Sequence, residues 1–312
     1  MNTTRIVFMG SPDFALPSLQ ALADNYPVVG VVTQPDRRAG RGRALTSPPV
    51  KILAEKLGLP LLQPPRLKAP DAFEQLQAWT PEIIVVAAFG QILRPAVLEL
   101  PPLGCINVHA SLLPHLRGAA PIQAALLNGD LKTGVTIMRM DQGVDTGPIL
   151  SQRALDIKPD DTAQTLSARL AQLGAELLIE TLPAYISGAI EPQPQDDTKA
   201  SYAPLLEKEA GRLDFSEPAA ALARRVRAYN PWPGAFTFRA GQRLKVLQAH
   251  AAPARTGEFY EAGQETLVDG LPAAAAAPGL LVLDEVQPAG KRPMPGETFL
   301  NGVQDWGTQR LG

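Results

Sequence analysis

The sequence has a single cysteine, Cys105, among its 312 residues. One thiol excludes an internal disulfide and any zinc site made only of cysteines. The low cysteine content is typical of proteins from a reducing compartment, so we expect a cytoplasmic location. We also predict that Cys105 is a small buried hydrophobic residue.

Long apolar runs and an excess of one charge are also missing. The longest apolar stretch, residues 83–93, is well short of the about 20 residues that cross a bilayer. The first residues lack the apolar segment and cleavage site of a signal peptide, so we expect no membrane association. With 29 basic and 31 acidic residues the net charge is −2, which argues against coating nucleic acid by bulk charge but allows a local basic patch.

The first turn lacks the glycines of a dinucleotide site. An NAD or FAD site needs G-x-G-x-x-G after the first strand, because the glycines let the backbone approach a pyrophosphate. Residues 9–14 contain only Gly10, and Pro12 stands where the loop would need free amides. We therefore predict no NAD, and no metal ion is expected as a cofactor either.

Short apolar runs alternate with helical periodicity through the first part of the chain. This alternation is typical of βαβ units and a mostly parallel sheet. Polar and apolar residues alternate over Gly134–Met140, which predicts an antiparallel or edge strand. We predict Asp160 or Asp161 as the N-terminal cap of the helix over 162–185. The predicted strands cover 6–9, 28–33, 83–88 and 106–109, and the predicted helices cover 15–23, 50–57 and 162–185.

The composition changes after residue 188. Residues 189–206 are polar and contain several prolines, as linkers do. The sequence therefore predicts a catalytic domain over 1–188, a linker over 189–206 and a smaller domain over 207–312.

The smaller domain contains several short strand-like runs separated by glycine and proline. This pattern predicts a small β-barrel. Residues 272–278, a run of alanines between two prolines, are predicted to form a loop. The predicted helix covers 219–228, and the predicted strands cover 235–238, 244–248 and 280–286.

Four arginines lie close together after the second predicted strand. Arginine binds phosphate through paired hydrogen bonds, and a flexible loop can become ordered on an RNA backbone. One interpretation is an arm that grips RNA phosphates, and the other is a solvated, flexible loop. Under either interpretation, the glycines and prolines of this segment predict a loop without regular secondary structure. The arginines are Arg37, Arg38, Arg41 and Arg43.

The most informative segment is Cys105–Pro121. Asn107 and His109 lie two residues apart at the end of an apolar run, so in a strand their side chains share one face. A carboxylate should orient the histidine. The glycine-rich turn 141–147 offers Asp141 and Asp145.

These groups suit the transfer of an acyl carbon from one nitrogen to another. When an amine attacks a carbonyl, the oxygen becomes negative, and donors are needed where that charge develops. The amine must also lose a proton. Asn107 supplies a donor, and His109 supplies a donor or a proton carrier near neutral pH. The alternatives are structural: a hydrogen-bonded strand-end histidine, an amide that bridges backbone groups, and aspartates that form turns.

Further motifs stand in the segments 107–118, 134–137, 141–147, Gln34-Pro35-Asp36 with 39–42, 111–114 with 117–123, Asn230-Pro231-Trp232-Pro233 and 287–291. In these segments, and over nearly its whole length, the chain resembles the folate-dependent formyltransferases. The resemblance implies an α/β fold with a Rossmann-like formyltransferase domain and a smaller C-terminal OB-like β-barrel that binds tRNA. It also implies 10-formyltetrahydrofolate as formyl donor and initiator methionyl-tRNA as acceptor.

The resemblance also implies roles for particular residues. It makes Asn107, His109 and Asp145 the catalytic trio, with Asp145 as the partner of His109. Arg41 corresponds to the arginine that reads the tRNA acceptor stem, and we extend tRNA binding to Arg37, Arg38 and Arg43. The implied folate-binding residues are Phe89, Gly90, Gln91, Ile92, Ser111, Leu112, Leu113, Pro114 and Asp141.

Three alternative functions share parts of this pattern. A formyltransferase for a small amine, such as a sugar nucleotide or glycinamide ribonucleotide, shares the trio but has no need of the basic loop. A formyl-folate hydrolase uses water as acceptor. A non-catalytic RNA-binding adaptor has no need of the trio. For the function that the resemblance implies, we expect a monomer.

Overall fold

A computed structural model describes residues 3–39, 44–254 and 257–312. The chain forms two compact units. The first comprises Met1–Pro121, Lys132–Asp156 and Ser167–Ala203, and the second comprises Ile122–Leu131, Ile157–Leu166 and Pro204–Gly312.

Within the described residues, the first unit contains four whole helices and the strands that pair in parallel ladders. Its strands are β1 (Ile6–Gly10), β2 (Val28–Val32), β3 (Arg37–Ala39), β4 (Ala44–Thr46), β5 (Leu61–Leu62), β6 (Ile83–Ala87), β7 (Cys105–His109), β8 (Arg117–Gly118), β9 (Lys132–Arg139), β10 (Ile149–Asp156) and β11 (Tyr202–Ala203). Its helices are α1 (Leu16–Asn25), α2 (Pro49–Lys56), α3 (Pro70–Ala78) and α4 (Pro95–Leu98). The helices α5 (Pro121–Asn128) and α6 (Ala163–Ile186) contribute residues to both units.

A seven-stranded sheet in the order β10-β9-β7-β6-β1-β2-β5 forms the centre of the first unit. The strands from β7 to β5 are parallel, and β1, β6 and β7 are buried along their whole length. Such strands read as continuous apolar runs because helices or loops cover both faces. The strand order reverses between β1 and β6, which opens a crevice at their carboxyl ends. The predicted parallel sheet is thereby confirmed.

The strand predicted over 134–140 is antiparallel, as β9, to both of its neighbours. It lies between β7 and β10, so the edge-strand alternative is wrong.

The predicted cap of the long helix is also wrong. The Thr162 Oγ1 atom accepts a hydrogen bond from the Thr165 amide at 3.2 Å, and the Thr162 amide donates to Thr165 Oγ1 at 2.9 Å. Asp161 instead accepts from the Lys158 amide at 2.8 Å. Thr162 therefore caps the helix, because its hydroxyl accepts from an amide of the first turn that has no partner within the helix.

The basic loop is more regular than predicted. Strands β3 and β4 pair in antiparallel register, with Arg37 opposite Thr46 and Arg38 opposite Leu45. The expectation that glycine and proline would exclude regular structure is wrong here, since these paired residues are neither. Arg41 and Arg43 lie outside the described residues.

An antiparallel sheet forms the second unit. Its elements are α7 (Ala219–Ala228), β12 (Ala235–Arg239), β13 (Gln242–Ala252), β14 (Glu265–Val268), β15 (Leu271–Ala275), β16 (Leu280–Pro288), β17 (Met294–Pro295) and α8 (Gly296–Asn301). The strand order is β12-β13-β16-β15-β14, with β17 on β16.

A salt bridge joins the two end strands of this sheet, β12 and β14. Arg239 Nε of β12 donates to Glu265 Oε1 of β14 at 2.6 Å, and the Glu265 carboxylate is buried. The Gly312 amide donates to the Phe238 carbonyl at 3.1 Å. The sheet is therefore curled, which agrees with the predicted small barrel.

The loop predicted over 272–278 is wrong, because Leu271–Ala275 form β15. Ala273 and Ala274 pair with Val282 and Leu281 of β16, and β14 pairs on the other side. Their side chains are buried. Small side chains fit between two neighbouring strands in a packed interior, so tertiary pairing outweighs the weak strand propensity of alanine.

The described helices include none that is both long and apolar enough to cross a membrane.

Candidate active site

The carboxyl end of β7 places Asn107 and His109 on one face. The strand lies between β6 and β9, and the two residues are only 9% and 5% exposed. Both side chains contact the carboxylate of Asp145. They therefore share one face of the strand, as the two-residue spacing predicts.

Asp145 joins this pair from the turn between β9 and β10. Asn107 Nδ2 donates to Asp145 Oδ1 at 3.3 Å, and His109 Nδ1 lies 3.6 Å from Asp145 Oδ2. The Gly118 amide donates to the same Oδ2 at 2.8 Å. The structure thus gathers an amide, an imidazole and a carboxylate from segments far apart in the chain.

The His109 ring is fixed on its other side. Its Nε2 atom lies 3.0 Å from the Leu116 carbonyl oxygen. Because a carbonyl only accepts, we assign the hydrogen to Nε2. The Nδ1 atom is therefore the ring nitrogen that faces Asp145.

Residues Ser111–Pro114 follow β7 in the chain and precede Leu116. Thr136 Oγ1 donates to the Ser111 carbonyl at 2.7 Å and accepts from the Leu113 amide at 3.1 Å. Ser111 and Leu113 are buried, whereas Leu112 and Pro114 are half-buried. Of the four predicted folate-binding residues here, Leu112 and Pro114 have the more accessible side chains.

The predicted folate-binding loop 89–92 divides into buried and accessible parts. Phe89 is buried in the core beside β6, and its carbonyl accepts from Gln34 Nε2 at 3.1 Å. Gln91 Oε1 accepts from the Leu67 amide at 2.8 Å. Ile92 is 84% exposed. Gln91 and Ile92 line a cavity of about 520 Å³ whose other lining residues include Arg66, Lys68 and Arg94.

Asp141 lies on the same turn as Asp145 but closes the turn. Its Oδ1 atom accepts from the Gly143 amide at 3.0 Å and from Thr146 Oγ1 at 2.7 Å. The turn-forming interpretation of this aspartate therefore holds, and its exposed side chain remains a predicted folate contact.

Two polar residues near the trio escaped the sequence analysis. Gln195 donates to the backbone carbonyls of Asp145 and Gly147 from the segment interpreted as a linker. Arg117 is 2% exposed and donates to Gln195. Arg117 lies in the segment 105–121, next to Gly118, and this position could have marked it as a site residue. Nothing in the sequence around Gln195 marks it as one.

The environment of Cys105 agrees with a further expectation. Cys105 is buried, as predicted, and burial raises the pKa of its thiol to about 12. In the described part of the chain, no group of three or more His, Cys, Asp or Glu side chains is arranged to hold a metal ion.

The β3–β4 hairpin begins at a well-anchored aspartate. Asp36 accepts from Gln63 Nε2 at 2.8 Å and from Lys51 Nζ at 2.7 Å, and these hydrogen bonds lower the pKa of its carboxyl. Arg37 and Arg38 are exposed beyond it. The hairpin therefore presents two cations from a fixed base.

Comparisons with known proteins cover both units. The family model described as formyl transferase matches residues 4–182, and that described as formyl transferase, C-terminal domain, matches residues 205–304. The methionyl-tRNA formyltransferase of Roseiflexus castenholzii is 50% identical over 313 residues, covering 99% of each chain. That of Myxococcus xanthus is 49% identical over 304 residues, covering 97% of this chain and 96% of its own.

The fold has a counterpart among solved structures. WlaRD, a sugar 3N-formyl transferase solved in the presence of dTDP and 5-N-formyl-tetrahydrofolate, has a TM-score of 0.66 to this chain at 18% identity. The match covers 94% of this chain and 100% of that one. At this identity the likeness concerns the fold alone.

Proposed function

The chain belongs to the formyltransferase family, among the methionyl-tRNA formyltransferases, and on that premise we propose that it formylates the methionine carried by initiator tRNA. The formyl donor is 10-formyltetrahydrofolate. The activity belongs to translation initiation in the cytoplasm, and the chain acts as a monomer. No metal ion or NAD takes part.

One observation carries the assignment of the reacting groups: Asn107, His109 and Asp145 meet at the carboxyl end of β7. In the transfer, a bond forms between the methionine nitrogen and the formyl carbon, and the bond from that carbon to the folate nitrogen breaks. The proton lost by the amine ends on the folate nitrogen. The site must therefore stabilise an oxyanion and relay a proton.

Asn107 and His109 stabilise the oxyanion of the tetrahedral intermediate. The Asn107 amide has a second N–H beyond the one directed at Asp145. His109 is held through its Nε2 hydrogen, so Nδ1 faces the reacting side of the ring. Nδ1 takes up the proton that the amine loses and then donates to the oxyanion before that proton passes to the folate nitrogen. Because an α-amino group has a pKa of about 8, part of the substrate amine is protonated at neutral pH. Asp145 orients His109, and its carboxylate balances the positive charge that develops as that proton moves.

The two substrates reach this centre from different segments. The folate is held by residues 89–92, 111–114 and Asp141. The tRNA is held by Arg37 and Arg38, which are exposed on β3, by Arg41 and Arg43, and by the C-terminal barrel.

A transfer assay tests the proposed function. Labelled 10-formyltetrahydrofolate is offered with charged initiator tRNA, charged elongator tRNA, free methionine or an amino-sugar nucleotide. We expect label on initiator methionyl-tRNA well above the other acceptors. Label on the amino sugar alone, or release of formate without any acceptor, would contradict the proposal in favour of the small-amine transferase or the hydrolase.

Two substitutions test the assigned residues. Asn107→Ala and His109→Ala each remove an oxyanion donor, so we expect turnover to fall by about 10²- to 10³-fold at saturating donor. Circular dichroism and a thermal melt check that the variants are folded. A loss of less than about threefold in both variants would refute the assignment, since one lost donor costs far more.

A further inference from the structure

The turn that carries Asp145 has an uncommon backbone conformation. Asp145 has a φ of 53°, in the left-handed region that residues other than glycine rarely adopt. Such a residue keeps its conformation only where its surroundings hold it. The backbone contacts of this turn therefore decide where the Asp145 oxygens lie relative to Asn107 and His109.

Gln195 provides those backbone contacts. Its Nε2 atom donates to the Asp145 carbonyl at 2.9 Å and to the Gly147 carbonyl at 2.7 Å. A side-chain amide has two N–H hydrogens, so both are used on this turn. One side-chain atom thus ties together the two ends of the Asp145–Gly147 span.

Arg117 fixes the orientation of the Gln195 amide. Its Nε and Nη2 atoms donate to Gln195 Oε1 at 3.0 and 2.9 Å. A guanidinium has no acceptor, so a rotated amide would set its NH₂ against the guanidinium and its oxygen against two carbonyls. Arg117 Nη2 also donates to Asp197 Oδ1 at 2.7 Å, which balances the charge of a side chain that is 2% exposed.

The residue after Arg117 holds Asp145 a second time. The Gly118 amide donates to Asp145 Oδ2 at 2.8 Å, and the Arg117–Gly118 strand pairs with Tyr202–Ala203. The same short strand therefore holds the Asp145 carboxylate directly and the Asp145 backbone through Gln195.

We propose that Gln195 is a positioning residue for formyl transfer, oriented by Arg117 so that it holds the Asp145 carboxylate against Asn107 and His109. This inference rests on the proposed function, because Gln195 has this task only if Asp145 takes part in the transfer. Gln195 acts through Asp145 and makes no contact with substrate. Its loss should therefore lower kcat and leave both KM values unchanged.

The test compares Gln195→Glu with Gln195→Ala in the full chain. Glutamate keeps an oxygen for Arg117 but removes both N–H donors from the turn. In Gln195→Glu the second carboxylate oxygen repels the two carbonyls, while the added charge strengthens the contact with Arg117, so we expect only a small fall in Tm. We expect kcat to fall about 10- to 100-fold, because catalytic groups displaced by about 1 Å lose activity on that scale. Gln195→Ala removes both sets of contacts, so both kcat and Tm should fall.

Gln193→Ala is the matched control from the same segment. Among the described residues, the Gln193 side chain donates to the nearby Glu191 carbonyl alone, so its loss should leave kcat unchanged. The assay measures kcat and KM for 10-formyltetrahydrofolate and for initiator methionyl-tRNA.

Each outcome decides between the two proposals. Wild-type kcat in Gln195→Glu, or a rise in KM without a loss of kcat, would overturn the positioning role and leave the proposed function intact. Absence of formyl transfer to initiator methionyl-tRNA by the wild-type chain would contradict the proposed function itself.

Discussion

Gly147 is a residue whose replacement should disturb the site through the backbone alone. A Cβ at this position would lie 1.9 Å from the Arg139 carbonyl oxygen, and no side-chain rotation relieves an overlap with backbone. The turn would have to move, and with it a carbonyl that Gln195 holds. We expect Gly147→Ala to lower kcat by about 10-fold or more and to lower Tm.

A second glycine gives the control for this prediction. At Gly302 a Cβ would make only an ordinary contact, 3.6 Å from the Phe299 carbonyl oxygen. Gly302→Ala should therefore keep wild-type kcat. Equal activity in the two variants would show that the 141–147 turn tolerates displacement.

At the scale of elements, the β3–β4 hairpin supplies a prediction about tRNA. Arg37 and Arg38 are exposed on β3, and phosphate contacts by arginine make binding dependent on salt. Replacing both by alanine should raise KM for methionyl-tRNA and reduce the slope of log affinity against log salt by about one per lost phosphate contact. KM for the folate should not change.

The control removes an exposed charge away from the hairpin. Lys132 is 71% exposed at the start of β9, and its replacement by alanine tests the effect of net charge alone. An equal change in the salt slope for Lys132→Ala would assign the effect to overall charge, and an unchanged slope for the arginine variant would exclude the hairpin from tRNA binding.

The elements that could be predicted from the sequence are those whose local composition is enough to determine their secondary structure. The apolar, β-branched runs of β1, β6 and β7 have one stable environment, the buried parallel sheet. By contrast, β15 is a strand only because β14 and β16 flank it, and neither partner can be deduced from a run of alanines. Pairing with distant segments therefore limits what local pattern predicts.

The same limit applies within the site. The spacing of Asn107 and His109 predicted a shared face, and the resemblance singled out Asp145 as their partner. Gln195 acts from an extended polar segment without periodicity, 50 residues after Asp145 in sequence. Its contact exists only in the folded chain, so a linker was the natural interpretation of its composition.

At the scale of the whole molecule, ionisable groups shifted in opposite directions predict stability that falls at both extremes of pH. Hydrogen bonds donated by Thr198 and Lys199 lower the pKa of Asp196 from an ordinary 3.8 to about 2. Hydrogen bonds donated by Gln63 and Lys51 also lower the pKa of Asp36. A carboxyl with a lowered pKa stabilises the fold above its unfolded pKa. That stability is lost as the pH falls from about 4 towards 2.

The alkaline side follows from Cys105. Burial raises the pKa of its thiol from 9.0 to about 12, so the folded chain keeps a proton that the unfolded chain releases. Its contribution is complete below pH 9 and is lost between pH 9 and 12. We expect the Tm measured by calorimetry to be highest between these two limits. Asp196→Asn should reduce the decrease in Tm at acid pH, because it removes one titrating group. Cys105→Ala should reduce the decrease in Tm at alkaline pH for the same reason. A Tm that rises below pH 4 would contradict the sign of the carboxyl shifts.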